Sequence, residues 1–263
     1  MTSTTNLNHG ITGIHVGPPG TLYPPKSDAE RSNHILEALP IPERDRLSPH
    51  LQIVAISLGQ HLCHSTFELK HVYFPISCIF FLLNTLNNGK SVGIATVGNE
   101  GMVGISSFLS DIPTPISVIA QCAGYAFRLE KDILKTEFNR SVTLQRLFLR
   151  YVTARMTEIG QMAVCNRFHS VEQQLCRWLL SSVDRLQSDR ITTTHELIAN
   201  NMLGVRRESV TAAARTLKEA GLIQYNRGHI RVIDRGGLEL KACECYDVVK
   251  EGYGHLLSAS DRK

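Results

Sequence analysis

The spacing of apolar residues changes character along the chain. Residues 1 to about 27 are rich in Thr, Asn, Gly and Pro and carry no apolar period, which predicts a flexible extension over 1–30. Ile35, Leu36 and Leu39 give a short helical pattern, followed by a Pro-broken connection to Leu47. From Leu51 to about Leu129 the runs shorten and favour strands. His71-Val-Tyr-Phe and Ile79-Phe-Phe-Leu-Leu are β-favouring, and Asn88-Gly89 between Leu86 and Val92 is a strong hairpin signal. Gly93, Gly98, Gly101, Gly104 and Gly124 recur between further short runs. Many short strands with glycine turns predict a β-roll, barrel or sandwich.

The period then lengthens. Val142 to Val164 has no Pro and only Gly160, which predicts a long helix. Phe148, Val152, Ile159 and Met162 alternate in steps of four and three, with Arg155 at the intervening position. Such a stripe suits packing on its own domain or a two-stranded seam between copies. The helix is long and follows a complete β-domain, which favours the seam. Ser170 and Gln173 have capping-box spacing for the next helix, whose apolar face is Leu175, Leu179 and Val183.

The following stretch carries the chemistry. Thr193 and Glu196 predict a capping box opening a helix with Leu197, Ile198 and Met202 on its buried side. Gly204 is placed to end it with a positive φ. A second helix runs to Ala220, with Val210, Ala213, Ala214 and Leu217 inward and Gly221 as its stop. Two short helices with a Gly-containing turn make a helix-turn-helix. The second helix opens with Arg206, Arg207, Glu208 and Ser209, with Thr211 one turn on. Arg can grip guanine O6 and N7 together, Glu can accept from cytosine N4, and Thr can donate, accept or touch a thymine methyl. Arg215 and Lys218 sit where they would neutralise phosphates. After Gly221, two β-favouring runs flank Asn226-Arg-Gly-His229, predicting a hairpin with Arg227 and His229 at its tip against the phosphate backbone. The alternative for the same surface is a sensory module that docks a protein partner.

Charge sharpens this picture. The net charge of +4 lies wholly between Arg167 and Gly237, which hold eleven Lys/Arg against seven Asp/Glu. A local basic excess replaces counterions on nucleic-acid phosphates. The longest apolar run, Cys78 to Leu83, is far too short for a bilayer span, and no basic segment leads into an apolar core at the start, so a cytoplasmic protein is expected. Seven scattered cysteines do not form a disulfide framework. Cys243-Glu-Cys245 is the one close pair and reads as structural, so no metal site and no cofactor are predicted. There is no nucleophile–base signature, no glycine-rich phosphate loop and no metal-ligand spacing, which argues against an enzyme.

These residues carry a resemblance. Met202-Leu-Gly-Val-Arg-Arg-Glu-Ser-Val-Thr211, Ala220-Gly-Leu-Ile223 and Arg227-Gly-His-Ile-Arg-Val-Ile-Asp-Arg235 resemble the CRP/FNR superfamily of bacterial transcription regulators. His71-Val-Tyr-Phe-Pro75, the Asn88-Gly89 turn and Gly98-Asn-Glu-Gly-Met-Val-Gly104 resemble its sensor domain. The resemblance implies a cyclic-nucleotide-binding-like β-roll, a long dimer helix and a winged helix on a roughly palindromic operator, with Arg207 and Glu208 among the base readers. Ala212 stands where many members have another base-reading Arg. Ala199 to Gly204 is one step longer than the usual spacing. Glu100 falls where nucleotide-binding members hold ribose, yet Gly98 to Phe127 contains no Lys or Arg to pair the cyclic phosphate. Tight cAMP or cGMP binding is therefore not expected.

The expected fold is α+β: extension 1–30, cyclic-nucleotide-binding-like sensor 31–141, dimerisation helix 142–166, winged helix-turn-helix 167–237, tail 238–263. The expected function is sequence-specific DNA binding by a homodimeric regulator. Its partners would be duplex DNA, a second copy and RNA polymerase, with no membrane.

Overall fold

A computed structural model of the chain describes residues 33–63, 69–89, 91–110, 115–226 and 228–258. The predicted extension over 1–30, Arg227 and the Met202 side chain lie outside the described residues.

Asn33 organises the first turn of the sensor. Its Oδ1 accepts from the Ile35 and Leu36 amides, capping α1 (His34–Glu37), while its Nδ2 donates to the carbonyls of Pro75 and Gly101. After α2 (Ile41–Leu47) come two antiparallel sheets. One has the order β1-β7-β3, from β1 (Gln52–Ile56), β3 (His71–Pro75) and β7 (Gly124–Glu130). The other is β2-β6-β4-β5, from β2 (His61–Cys63), β4 (Ile79–Thr85), β5 (Ser91–Val97) and β6 (Ile116–Cys122). Val54, Ile56, Phe80, Val97, Val118 and Ala126 fill the space between them. Truncating a fully buried ring such as Phe80 to Ala should cost about 3–5 kcal/mol. The β4–β5 hairpin turns at the predicted Asn88-Gly89, with Thr85 paired to Ser91 and Gly89 at φ +80.

Helix α3 (Ile105–Ser110) lies between β5 and β6, and α4 (Lys131–Arg140) follows β7 and leads to α5 (Val142–Phe168), whose 27 residues open on the Ser141 cap. Leu144, Leu147, Phe148, Tyr151 and Ala154 face the sensor core. The Tyr151 hydroxyl accepts from the Met102 amide and donates to its carbonyl, both at 2.9 Å.

Packing divides the predicted stripe on α5: Val152 and Ile159 lie on the outward side, and the other three positions do not. Phe148, Arg155 and Met162 are buried against the chain's own domains. The outward row is Val142, Leu149, Val152, Met156, Ile159 and Ala163, with Leu149 63% and Met156 68% exposed. From Leu149 onward it steps by three and four, a strict heptad spacing. Two apolar stripes run side by side on this helix. Periodicity sees both, and only packing tells which one the sensor covers.

The capping box at Ser170 and Gln173 forms and opens α6 (Val171–Leu186). Next are β8 (Arg190–Thr192), α7 (His195–Ile198), α8 (Arg207–Glu219), β9 (Ile223–Asn226) and β10 (His229–Val232). The three strands form one sheet in the order β8-β10-β9. Leu175, Leu179, Ile198, Val210, Leu217 and Ile230 make the core, which continues into Phe81 and Ile119 of the sensor sheet. The stretch expected as a tail is instead helical: α9 (Arg235–Lys241) and α10 (Cys245–Ser258). Helix α10 packs back along α5 and places Val249 and Tyr253 in the sensor core. Those two side chains cover a sensor surface that lies far from them in the sequence. Among the described residues no helix is long and apolar enough to cross a membrane.

Candidate nucleic-acid interface

The first helix of the pair starts one residue later than its sequence suggests. The Thr193 amide donates to the Gly228 carbonyl at 2.9 Å, tying Thr193 to the hairpin. The cap passes to Thr194, whose Oγ1 accepts from the Leu197 amide at 3.1 Å. Beyond Ile198 the helix widens into a π turn over Ala199–Leu203, closed by the Gly204 amide on the Ala199 carbonyl, which also accepts from the Val205 amide at 3.3 Å. A π turn absorbs one inserted residue, so the extra step before Gly204 is taken up here. Gly204 then reverses the chain at φ +61, a conformation an L side chain rarely adopts.

That reversal aims α8. Val210, Ala213, Ala214 and Leu217 face inward, while Arg206, Arg207, Glu208, Thr211, Arg215 and Lys218 are exposed and Ser209 is half-buried. Arg207, Glu208, Thr211, Ala212 and Arg215 line a shallow outward concavity. Among the described residues neither Arg206 nor Arg207 has an ion-pair partner. Arg215 has Glu219 at 3.6 Å, both largely exposed, and an exposed pair of that kind holds weakly.

Sequence reasoning missed His195. Its ring stacks on Tyr225 with centroids 4.1 Å apart, and its Nδ1 lies 3.2 Å from Thr211 Oγ1, which in turn donates to the Arg207 carbonyl at 3.0 Å. Burial, with the nearby Arg207 guanidinium adding to it, lowers the His195 pKa below its ordinary value. His195 thus joins α7, the hairpin and the exposed face of α8 as a neutral ring. Nothing in the sequence pairs His195 with residues 211 and 225, because the link is purely tertiary. On the hairpin, β10 pairs β9 and β8, with His229 exposed and its Nδ1 3.2 Å from Thr192 Oγ1. Arg231 is engaged by Asp189 at 2.7 Å.

Residues 173–240 match the Crp-like helix-turn-helix domain. Solved structures share the fold over the whole architecture of sheets, long helix and helix-turn-helix. A Crp/Fnr-family regulator from Eubacterium rectale is 18% identical with a TM-score of 0.59, covering 79% of this chain and 96% of that one. FixK2 from Bradyrhizobium japonicum is 14% identical at 0.62, covering 73% and 98%. A CRP-family transcriptional regulator from Thermus thermophilus is 17% identical at 0.59, covering 72% and 95%. No curated protein matches the chain significantly. The chain thus carries a Crp-like helix-turn-helix domain over residues 173–240 and shares its fold with these solved structures. Its similarities are to transcription regulators rather than enzymes.

In the N-terminal β-sheet domain Glu100 is already engaged. Its carboxylate accepts from the Gly98 amide and pairs with Arg185 Nε at 2.9 Å. Arg185 comes from α6 of the Crp-like domain and also reaches Glu158 at 3.1 Å and the Thr96 hydroxyl. A Cβ at Gly98 would strike the Arg185 side chain, so only glycine lets the turn and that arginine meet. Arg155 and the Tyr253 hydroxyl, both 2.7 Å from Glu158 Oε2, complete the buried network. The Arg185 and Arg155 guanidiniums overcome the burial that would raise Glu158 and hold its carboxyl at about 2.

Proposed function

We propose that this chain is a homodimeric, sequence-specific transcriptional regulator that reads a roughly palindromic operator through α8 and does not require cAMP. The observation that carries the reading is the outward start of α8, where Arg206 and Arg207 have no ion-pair partner among the described residues and Glu208 and Thr211 are exposed beside them. A recognition helix reads base edges with its N-terminal residues, and these are the side chains that can do so. Arg215, Lys218, Arg227 and His229 are the phosphate-contacting set.

The exposed heptad row on α5 supports the dimer, since a second copy would cover Leu149 and Met156. A two-fold pairing through α5 would supply two copies of α8, one for each half of a palindromic operator. The engagement of Glu100 by Arg185 supports independence from cAMP, because the one acid placed for a ribose is already neutralised inside the protein. The place of action is the cytoplasm, where the DNA is.

Selection of bound fragments from random duplex DNA with the purified protein tests this. Inverted half-sites centred about 10–10.5 bp apart, or a multiple of that, are expected. Enrichment of no sequence at low salt contradicts the proposal, and single asymmetric sites contradict its dimer.

A further inference from the structure

Four side chains from distant parts of the sequence meet where α5 ends. Cys165 lies in its last turn and His169 is its C-terminal cap, one helical turn further on. Cys243 lies in the link between α9 and α10, and Cys245, on the other side of Glu244, opens α10. Cys165 Sγ is 3.6 Å from Cys243 Sγ, and Cys245 Sγ is 3.4 Å from His169 Nδ1. All four donor atoms lie within 4.8 Å of one another. The three thiols are buried and the imidazole is nearly so.

Those separations fit one geometry. A tetrahedral ion with metal–sulfur bonds of about 2.3 Å and a metal–nitrogen bond of about 2.0–2.1 Å spaces its ligands about 3.8 Å for S···S and about 3.5 Å for S···N. The surroundings fit as well. His169 Nε2 lies 3.3 Å from the Glu244 carboxylate, which fixes the tautomer that leaves Nδ1 free to ligate. Gln161 Nε2 donates to Cys245 Sγ at 3.2 Å, and Gln174 Nε2 donates to the carbonyls of Cys165 and His169, holding the helix end in place. Charge also balances. Three thiolates, a neutral imidazole and a divalent cation leave one negative charge. Arg177 is buried, acts electrostatically on Cys165, and has no carboxylate partner among the described residues. A buried cation left without a counter-charge is costly, and the thiolate-rich centre supplies that counter-charge.

We propose that Cys165, His169, Cys243 and Cys245 bind a zinc ion. Three sulfurs and one nitrogen in a closed tetrahedron select zinc and leave no open position for substrate, so the site is structural. It staples the α9–α10 link to the junction of α5 and α6. It thereby fixes the direction in which the Crp-like domain leaves the long helix.

The test uses the full chain, purified under reducing conditions without chelator, and its metal content. One zinc per chain is expected. After stripping, addition of Co²⁺ should produce the visible bands of a tetrahedral ion together with thiolate charge-transfer absorption. Cys243→Ser should lose the metal and Cys63→Ser should keep it, while Glu244→Gln, which leaves all four ligands intact, should weaken retention by about 10- to 100-fold. If Cys243→Ser fails to fold, the cobalt spectrum of the unaltered chain decides. A reduced chain that holds no stoichiometric zinc after reconstitution and gives no thiolate–cobalt bands overturns the proposal. So does a Cys165–Cys243 disulfide formed in place of metal binding.

Discussion

Arg185 of the Crp-like domain lies 2.9 Å from Glu100 of the sensor, with both side chains buried. The pair joins the helix that carries the DNA-facing unit to the turn that CRP/FNR resemblance assigns to ligand binding. Glu158, Arg155 and Tyr253 extend the network to α5 and α10. Replacing Arg185 by Ala leaves Glu100 without its cation and Glu158 with one of its two. The cost should be about 3–5 kcal/mol, read from urea unfolding midpoints. An unchanged midpoint would show that the network contributes nothing net.

Because the Glu100 carboxylate is taken and no Lys or Arg occurs from Gly98 to Phe127, titration calorimetry with cAMP should show no tight binding. A dissociation constant in the micromolar range or below would contradict this.

Arg207 and Arg215 stand on the same face of α8 but should behave differently on DNA. Arg207→Ala should cost about 1–3 kcal/mol on the best operator and relax base preference at one position. Arg215→Ala should weaken all sequences alike and reduce the salt slope by about 1. Swapped behaviour, measured by binding titrations on an operator and on scrambled DNA at several salt concentrations, would reverse the two assignments.

The outward row of α5 gives a test of assembly. Leu149→Glu with Met156→Glu places charges on the proposed dimer face while leaving the inward Phe148, Tyr151 and Met162 untouched. Sedimentation should shift from dimer to monomer and operator affinity should fall. A double variant that remains dimeric would place the interface elsewhere.

His195 predicts a pH effect. Its folded pKa lies below the ordinary 6.5, so the unfolded chain takes up the proton first. The stability contributed by the neutral ring is therefore complete above 6.5 and declines as pH falls below it. His195→Phe keeps an aromatic ring against Tyr225 but does not titrate. Between neutral pH and about pH 5, the unaltered protein should lose more thermal stability than the variant. Parallel losses would remove His195 from the acid response.

Local chemistry is legible from the chain alone. Capping at Ser170, the hairpin at Asn88-Gly89, the reversal at Gly204 and the exposed charges opening α8 all depend on residues within a few positions of one another. Backbone preference and side-chain reach act over that range. The helix-turn-helix and the exposed side chains of α8 follow from such local rules. Tertiary structure alone decided which of two adjacent stripes on α5 is inside, that the last residues fold back on α5, and that Arg185 meets Glu100. It alone brought Cys165 and His169 to Cys243 and Cys245, and His195 to Thr211. Those relationships depend on which surfaces bury together, and burial is a property of the packed chain rather than of any short segment.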